Sequence, residues 1–396
     1  MSDANLRGPG IRPSAPAFPG VLTLTPFFPS EQDDARGCFI AESHGALREI
    51  GIENRVFAVQ PFYRGKVLAH RHAHPASMQR FFCVPGGVGL PSAGAFLYSS
   101  LLARIRELHH RKPIQLIHAH AALPCGHAAM LLSRKLGIPF VVTVHGLDAF
   151  LTNQVKGLAG RWCRKVCAQV YRSACRVICI SKRVEQEVLA SSTVATRVIY
   201  NGVDASVFVP DPVGENRQVV LSVGNLIPIK GHALLLEALA RLTNDFPQAS
   251  CELIGDGPEL PRLRDLTLRL QIADRVQFLG RQSRLVVAQA MRRCAVFALP
   301  SRYEGLGCVY LEAMASGKPA IACRGQGIEE IIQHGNNGWL VEQGNLRELT
   351  EVLSQLLRDS GLRARIGAEA RAAILARFTL AHQAQATAEL YRSCLA

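Results

Sequence analysis

Along the chain, short apolar runs bounded by proline or glycine alternate with longer stretches whose apolar residues recur every three or four positions. Runs at residues 21–25, 56–59, 115–120, 140–144 and 177–180 predict strands in the first half. Runs at 219–223, 251–254, 275–281, 295–299 and 320–323 predict those of the second half. Helical periodicity opens after Gly37 and covers 95–110, 120–133, 158–174, 232–242, 346–357, 361–378 and 381–395. Strand and helix in alternation imply an α/β chain with parallel strands, whose ligands sit in loops at the carboxyl ends of the strands.

One stretch, residues 301–319, organises the rest. It reads as a strand stopped at Pro300, a glycine loop, a short helix and a Gly-Lys-Pro turn into the next strand. Gly305 and Gly307 flank Leu306 and lack a Cβ, so a ligand can lie against the backbone there, and the free N–H groups opening the helix suit a phosphate. Glu304 and Glu312 bracket the turn. Carboxylates beside a phosphate site make sense if they grip a neutral donor such as a sugar hydroxyl. The alternative is a solvated loop glutamate and an ordinary helix-surface glutamate.

Three other loops share this logic. Gly37 follows a strand and opens a helix, a place for an anion. Lys230 stands in a glycine-bounded loop, residues 224–231, where it adds a point charge to converging backbone donors. His145 follows the strand at 140–144 directly, within His-Gly-Leu-Asp148. Asn201-Gly202 is a turn dipeptide that reads as a hinge between halves. Gly255-Asp-Gly-Pro lacks the third glycine of a dinucleotide fingerprint.

Composition narrows the partners. The 396 residues suffice for two domains, and 48% hydrophobic with 19% charged residues describes a globular chain. No run approaches a membrane span, and the proline- and glycine-rich first twenty residues read as a disordered tail without a secretory signal, so a cytoplasmic protein is expected. A net charge of +14 asks for an anionic partner or surface. The basic residues are scattered with little aromatic interleaving, which argues against nucleic acid and leaves an anionic membrane face. Twelve dispersed cysteines read as reduced core residues, and neither the paired C-x3-C spacing at 163–179 nor the histidines at 70, 72 and 74 make a convincing metal site.

Residues 304–322, EGLGCVYLEAMASGKPAIA, resemble the E-x7-E segment of retaining, family-4 type glycosyltransferases of the GT-B fold. The likeness continues through Gly335-Asn-Asn-Gly-Trp-Leu-Val341 and includes His145-Gly-x-Asp148, the Lys230-Gly231 loop and the Asn201-Gly-Val-Asp junction. It implies two Rossmann-like, doubly wound domains facing across a cleft: a tail at 1–20, an acceptor-side domain at 21–200, a nucleotide-sugar domain at 201–376, and a last helix, 377–396, packing back on the first domain.

On that resemblance, His145 faces the donor sugar, with Asp148 near it, while Glu304 accepts from sugar hydroxyls and Glu312 from the ribose. Lys230, with backbone around Gly37, Gly305, Leu306 and Gly307, holds the diphosphate; backbone at Gly280 lies against the base, and Asn201 lines the cleft. The departure is Asn225, where the family commonly has arginine; Arg302 or Arg324 could take over its charge. No Asp-x-Asp metal clamp is present, so transfer without metal or other cofactor is expected. The implied reaction is retaining transfer from a nucleotide sugar to a glycan or lipid-linked acceptor in surface polysaccharide synthesis at the inner membrane face. A GT-B epimerase and a non-catalytic nucleotide-sugar binder, the latter hinted at by Asn225, are the competing readings.

Overall fold

The computed structural model describes residues 20–30, 33–63, 76–146, 154–211 and 218–396. The expected tail, the histidines at 70, 72 and 74, and Asp148 lie outside them.

Among the described residues, two parallel sheets form. The first runs in the order β3-β2-β1-β4-β5-β6-β7, with β1 Val21–Thr25, β2 Asn54–Pro61, β3 Ala76–Phe81, β4 Leu116–His120, β5 Phe140–Val144, β6 Arg176–Cys179 and β7 Thr196–Val198. The second is β10-β9-β8-β11-β12-β13, with β8 Val219–Val223, β9 Ser250–Ile254, β10 Val276–Gly280, β11 Val296–Ala298, β12 Ala320–Cys323 and β13 Trp339–Val341. All pairings are parallel. Central strands such as VLTLT and FVVTV are buried at every position, as a sheet covered on both faces requires.

Helices α1 Cys38–Glu49, α2 Leu90–Arg111, α3 His127–Leu136, α4 Gly157–Ser173 and α5 Lys182–Ser191 serve the first sheet. Helices α6 His232–Arg241, α7 Leu260–Arg269, α8 Arg284–Arg293, α9 Cys308–Ala315, α10 Leu346–Arg358 and α11 Ser360–Arg377 serve the second. Strand order reverses between β1 and β4 and again between β8 and β11, the switch points where such sheets open a crevice for ligand.

The chain then returns. Val203 pairs with Thr379, and α12, Leu380–Leu395, sets Ala384, Ala388, Leu390 and Tyr391 into the same buried cluster as Val21, Leu47, Leu116 and Val141 of the first domain. One long apolar cluster crosses the cleft, joining Ile180 and Val184 to Leu306 and Ile328.

Two local expectations change. Residues 120–133 are not one helix: His120 ends β4, and a π-type turn with extended Leu123 precedes α3. The first sheet does not end at β6, because Thr196–Val198 adds an edge strand too short to stand out from its surroundings. The edge strand β3, ASMQRF, went unread because its polar residues give no apolar run.

Candidate active site

Each sequence motif lies where its element ends. Strand β11 stops at Leu299-Pro300, and the loop to α9 is tied down by Tyr310, whose buried hydroxyl donates back to the Leu299 carbonyl at 2.5 Å. Gly307 opens α9 at φ 83°, a conformation that favours glycine. Across from it, Lys230 closes a single 3₁₀ turn, and a Cβ on the following Gly231 would lie 2.1 Å from the Pro300 carbonyl oxygen. Only glycine lets the lysine loop lie against the glutamate loop.

The consequence is an ion pair. Lys230 Nζ stands 2.5 Å from Glu304 Oε1, which also accepts from Ser301 Oγ at 3.1 Å, while Glu304 N donates to Gln326 Oε1 at 2.8 Å. Glu304 is buried, and a cleft of about 450 Å³ lies against the pair, lined also by His145, Phe39, Asn201, Tyr303 and Gly305 to Cys308.

His145 forms the opposite wall. Its ring meets Phe39 at 5.1 Å and stacks on His120 at 5.2 Å, with His120 Nδ1 and His145 Nε2 3.0 Å apart. Behind it, His118 contacts Thr143 Oγ1 through Nε2 at 2.7 Å and the Tyr391 hydroxyl through Nδ1 at 2.6 Å. Burial pushes His145 down to about 4 and His118 to about 3, and lowers His120 well below the usual range, so all three imidazoles are neutral at pH 7. His145 therefore meets a ligand as a neutral hydrogen-bonding group, oriented by a chain reaching the terminal helix.

The domains are closed on each other here. Ser181 Oγ donates to the Gly305 carbonyl at 2.6 Å, and Glu330 accepts from the amides of Lys182 and Arg183 at 2.9 Å each, neutralising the positive end of α5.

Glu312 is buried. It does not line the cleft; Arg284 Nη1 holds it at 2.5 Å, and the same guanidinium forks onto Glu42 of the first domain. The carboxylate expected to accept from the ribose is thus held by a cation in this structure. Cys38 and Cys308 complete this cluster, their thiols pushed up to about 12 by burial. Gly37 supplies the left-handed entry to α1 against Phe27 and Phe28, and the cleft itself is met by Phe39, two residues on.

Asn201 is buried, lines the cleft and donates to Cys308 Sγ at 3.2 Å, which is more than a hinge requires. Asn225 is exposed, and Gly280 accepts from Gly255 N at 2.8 Å at the end of β10; neither lines this cleft. The suggested substitutes for the missing arginine do not reach it: Arg324 pairs with Glu348 and Glu342, and Arg302 borders a separate depression with Pro228 and Arg262.

The sequence reading passed over Phe39, Arg284, Glu42 and the His118-His120 pair. The last was readable: alternate residues of one strand point to one face, so His118 and His120 had to stand together at the end of β4.

Residues 208–373 match the family model for glycosyl transferases group 1, and residues 40–207 the model for glycosyltransferase family 4. The chain belongs to the group 1 glycosyltransferases. It is 34% identical over 255 residues to an uncharacterized glycosyltransferase of Methanocaldococcus jannaschii, covering 64% of this chain and 68% of that one. It is 28% identical to the N-acetyl-alpha-D-glucosaminyl L-malate synthase of Bacillus anthracis, over 70% of this glycosyltransferase and 74% of the synthase. Among solved structures, sucrose-phosphate synthase from Thermosynechococcus elongatus superposes with a TM-score of 0.79 at 22% identity, covering 94% and 98% of the two chains. Anabaena HepE in complex with UDP-glucose gives 0.74 at 23% identity, covering 94% and 99%. These likenesses show the GT-B fold, and the glycosyltransferase is an enzyme of sugar transfer.

Proposed function

We propose that this glycosyltransferase moves a sugar from a nucleoside diphosphate sugar to a hydroxyl of a glycan or lipid-linked acceptor, with retention at the anomeric carbon and without a metal. The observation that carries the reading is the Lys230–Glu304 pair facing neutral His145 across the cleft. HepE bound to UDP and to UDP-glucose favours a uridine nucleotide.

In this reading the incoming diphosphate draws Lys230 off Glu304, and the freed carboxylate accepts from two sugar hydroxyls. The lysine cation and the α9 amides after Gly307 then neutralise the charge that develops on the departing phosphate. His145 offers a neutral nitrogen to the sugar from the other wall. Glu312 exchanges Arg284 for ribose hydroxyls while Arg284 stays on Glu42. The C1–O bond to phosphate breaks, the acceptor oxygen bonds to C1 on the same face, and its proton passes to the leaving phosphate oxygen.

The net charge of +14 favours an acceptor held at an anionic surface, as in surface polysaccharide synthesis at the inner membrane face. No observation favours the epimerase or the non-catalytic binder.

The test is a panel of UDP-, GDP- and ADP-sugars, with and without chelator, following donor hydrolysis in the wild type and Glu304→Ala and reading the released anomer by proton NMR. Cleavage of one donor, unaffected by chelator and lost in Glu304→Ala, with the donor's anomer released first, supports the reading. Release of the opposite anomer removes retention, and chelator sensitivity removes metal independence.

A further inference from the structure

Five aromatic side chains are exposed among the described residues, and all five belong to the first domain: Phe62, Tyr63, Phe82, Phe96 and Trp162. Val88 and Leu158, 73% and 75% exposed, extend the set. Apolar side chains scattered singly need no explanation, but a contiguous set does. Several of these meet: the Phe82 and Phe96 rings pack edge-on at 5.0 Å, Phe62 N donates to the Phe81 carbonyl next to Phe82, and the Arg80 guanidinium lies 5.1 Å over Phe62. The turn holding Val88 abuts the entry to α4, since a Cβ on Gly87 would lie 3.1 Å from Val155.

The location follows from topology. Phe62 and Tyr63 leave the carboxyl end of β2, Phe82 leaves that of β3, and α4 follows β5, whose carboxyl end carries His145. The patch therefore lies on the same sheet edge as the reaction wall.

Its charge is as particular as its apolarity. On α4, Arg161, Arg164 and Lys165 are exposed beside Trp162 and Leu158, with Lys156 just before the helix, and no Asp or Glu occurs between Gln154 and Arg176. A second copy of this chain would set that cationic helix against its own kind.

We infer that this face docks the glycosyltransferase on an anionic lipid bilayer, with Trp162, Leu158, Phe82 and Phe96 entering the interfacial layer and the α4 cations meeting lipid headgroups. Aromatic rings with one wet edge suit that layer, and basic residues beside them suit an anionic leaflet. The inference deepens the lipid-linked acceptor reading, because it puts the acceptor-side edge at the bilayer, yet it can be tested without any sugar.

The chain has two tryptophans, and the other, Trp339, is buried out of reach of a lipid-borne quencher, so quenching reports on Trp162. Full-length protein is mixed with vesicles of phosphatidylcholine alone, or with a quarter phosphatidylglycerol, each with and without brominated acyl chains. Expected are flotation at least about ten-fold stronger with the anionic vesicles, quenching by brominated lipid, and loss of that quenching in Trp162→Phe. Arg161→Glu with Arg164→Glu and Lys165→Glu, and separately the exposed Val88→Asp, cut flotation by about ten-fold or more while donor hydrolysis stays unchanged.

Failure to float with either vesicle overturns the inference, as does flotation without quenching of Trp162. So does a dimer that Val88→Asp dissociates and that binds no lipid, which assigns the face to a second copy. Absent donor hydrolysis alongside intact flotation would count against the proposed reaction and leave this surface standing.

Discussion

Arg284 of the second domain holds Glu42 of the first through two parallel hydrogen bonds, Nε to Oε1 at 2.7 Å and Nη2 to Oε2 at 2.9 Å. Its remaining nitrogen reaches Glu312, and its plane covers the Phe208 ring at 4.6 Å. Burial raises Glu42 above the usual carboxylate range although the guanidinium opposes it, whereas Glu312 and Glu42 together hold Arg284 charged against its burial. The domain contact and the expected ribose carboxylate thus share one cation.

Removing that cation strands the buried carboxylate of Glu312 and the part-buried one of Glu42. Arg284→Ala is expected to cost about 3–5 kcal/mol, the range for breaking a buried pair from one side, and to lower the thermal midpoint by roughly 5–15 °C. Glu42→Gln keeps a partner for the fork and should cost less than half as much. Calorimetry on both variants checks this; equal losses would mean that the charge on Glu42 matters more than its shape.

Lys230 and Glu304 should not act independently. Each alanine variant is expected to lower turnover about 10²–10³-fold, since each removes a group aimed at developing charge or at the sugar. The double variant should fall short of the product of the two by about 0.5–3 kcal/mol of coupling. Steady-state rates on the four proteins of the cycle measure it, and strict additivity would place the two residues in separate roles.

Acid should unfold the first domain before it unfolds an ordinary α/β chain. The unfolded histidines take a proton near pH 6.5, but His118 and His145 in the fold take one only near pH 3 and 4, and His120 also well below the usual range. Over that window the unfolded state binds more protons, so stability rises with pH, is fully present above about 6.5 and is lost as pH falls toward 4. Denaturant midpoints between pH 4 and 8 should follow this slope, and His120→Asn should flatten it.

Gly327 is fixed by its neighbours. A Cβ there would lie 1.8 Å from the Gly305 carbonyl oxygen, the atom that accepts from Ser181 across the cleft. Gly327→Ala must displace the Glu304 loop, and a shift of about 1 Å is expected to cost roughly 100-fold in turnover. Kinetics beside a melting curve separates this from unfolding: activity should fall far more than stability.

What the residues alone determined is what depends on neighbours along the chain. Apolar runs ended by Pro300 or opened by Gly37 are local events, so the alternation of strand and helix, the E-x7-E loop, the lysine loop and His145 at a strand end were all readable. The tertiary structure alone decided which carboxylate is paired with which cation. Arg284 meets Glu42 across 242 residues, Lys230 meets Glu304 across 74, and His118 meets Tyr391 across 273. Those contacts follow from how two sheets close on one cleft and how the last helix returns. No local pattern encodes them, because an ion pair depends on distance in space, and sequence spacing constrains that distance only within a turn or a strand.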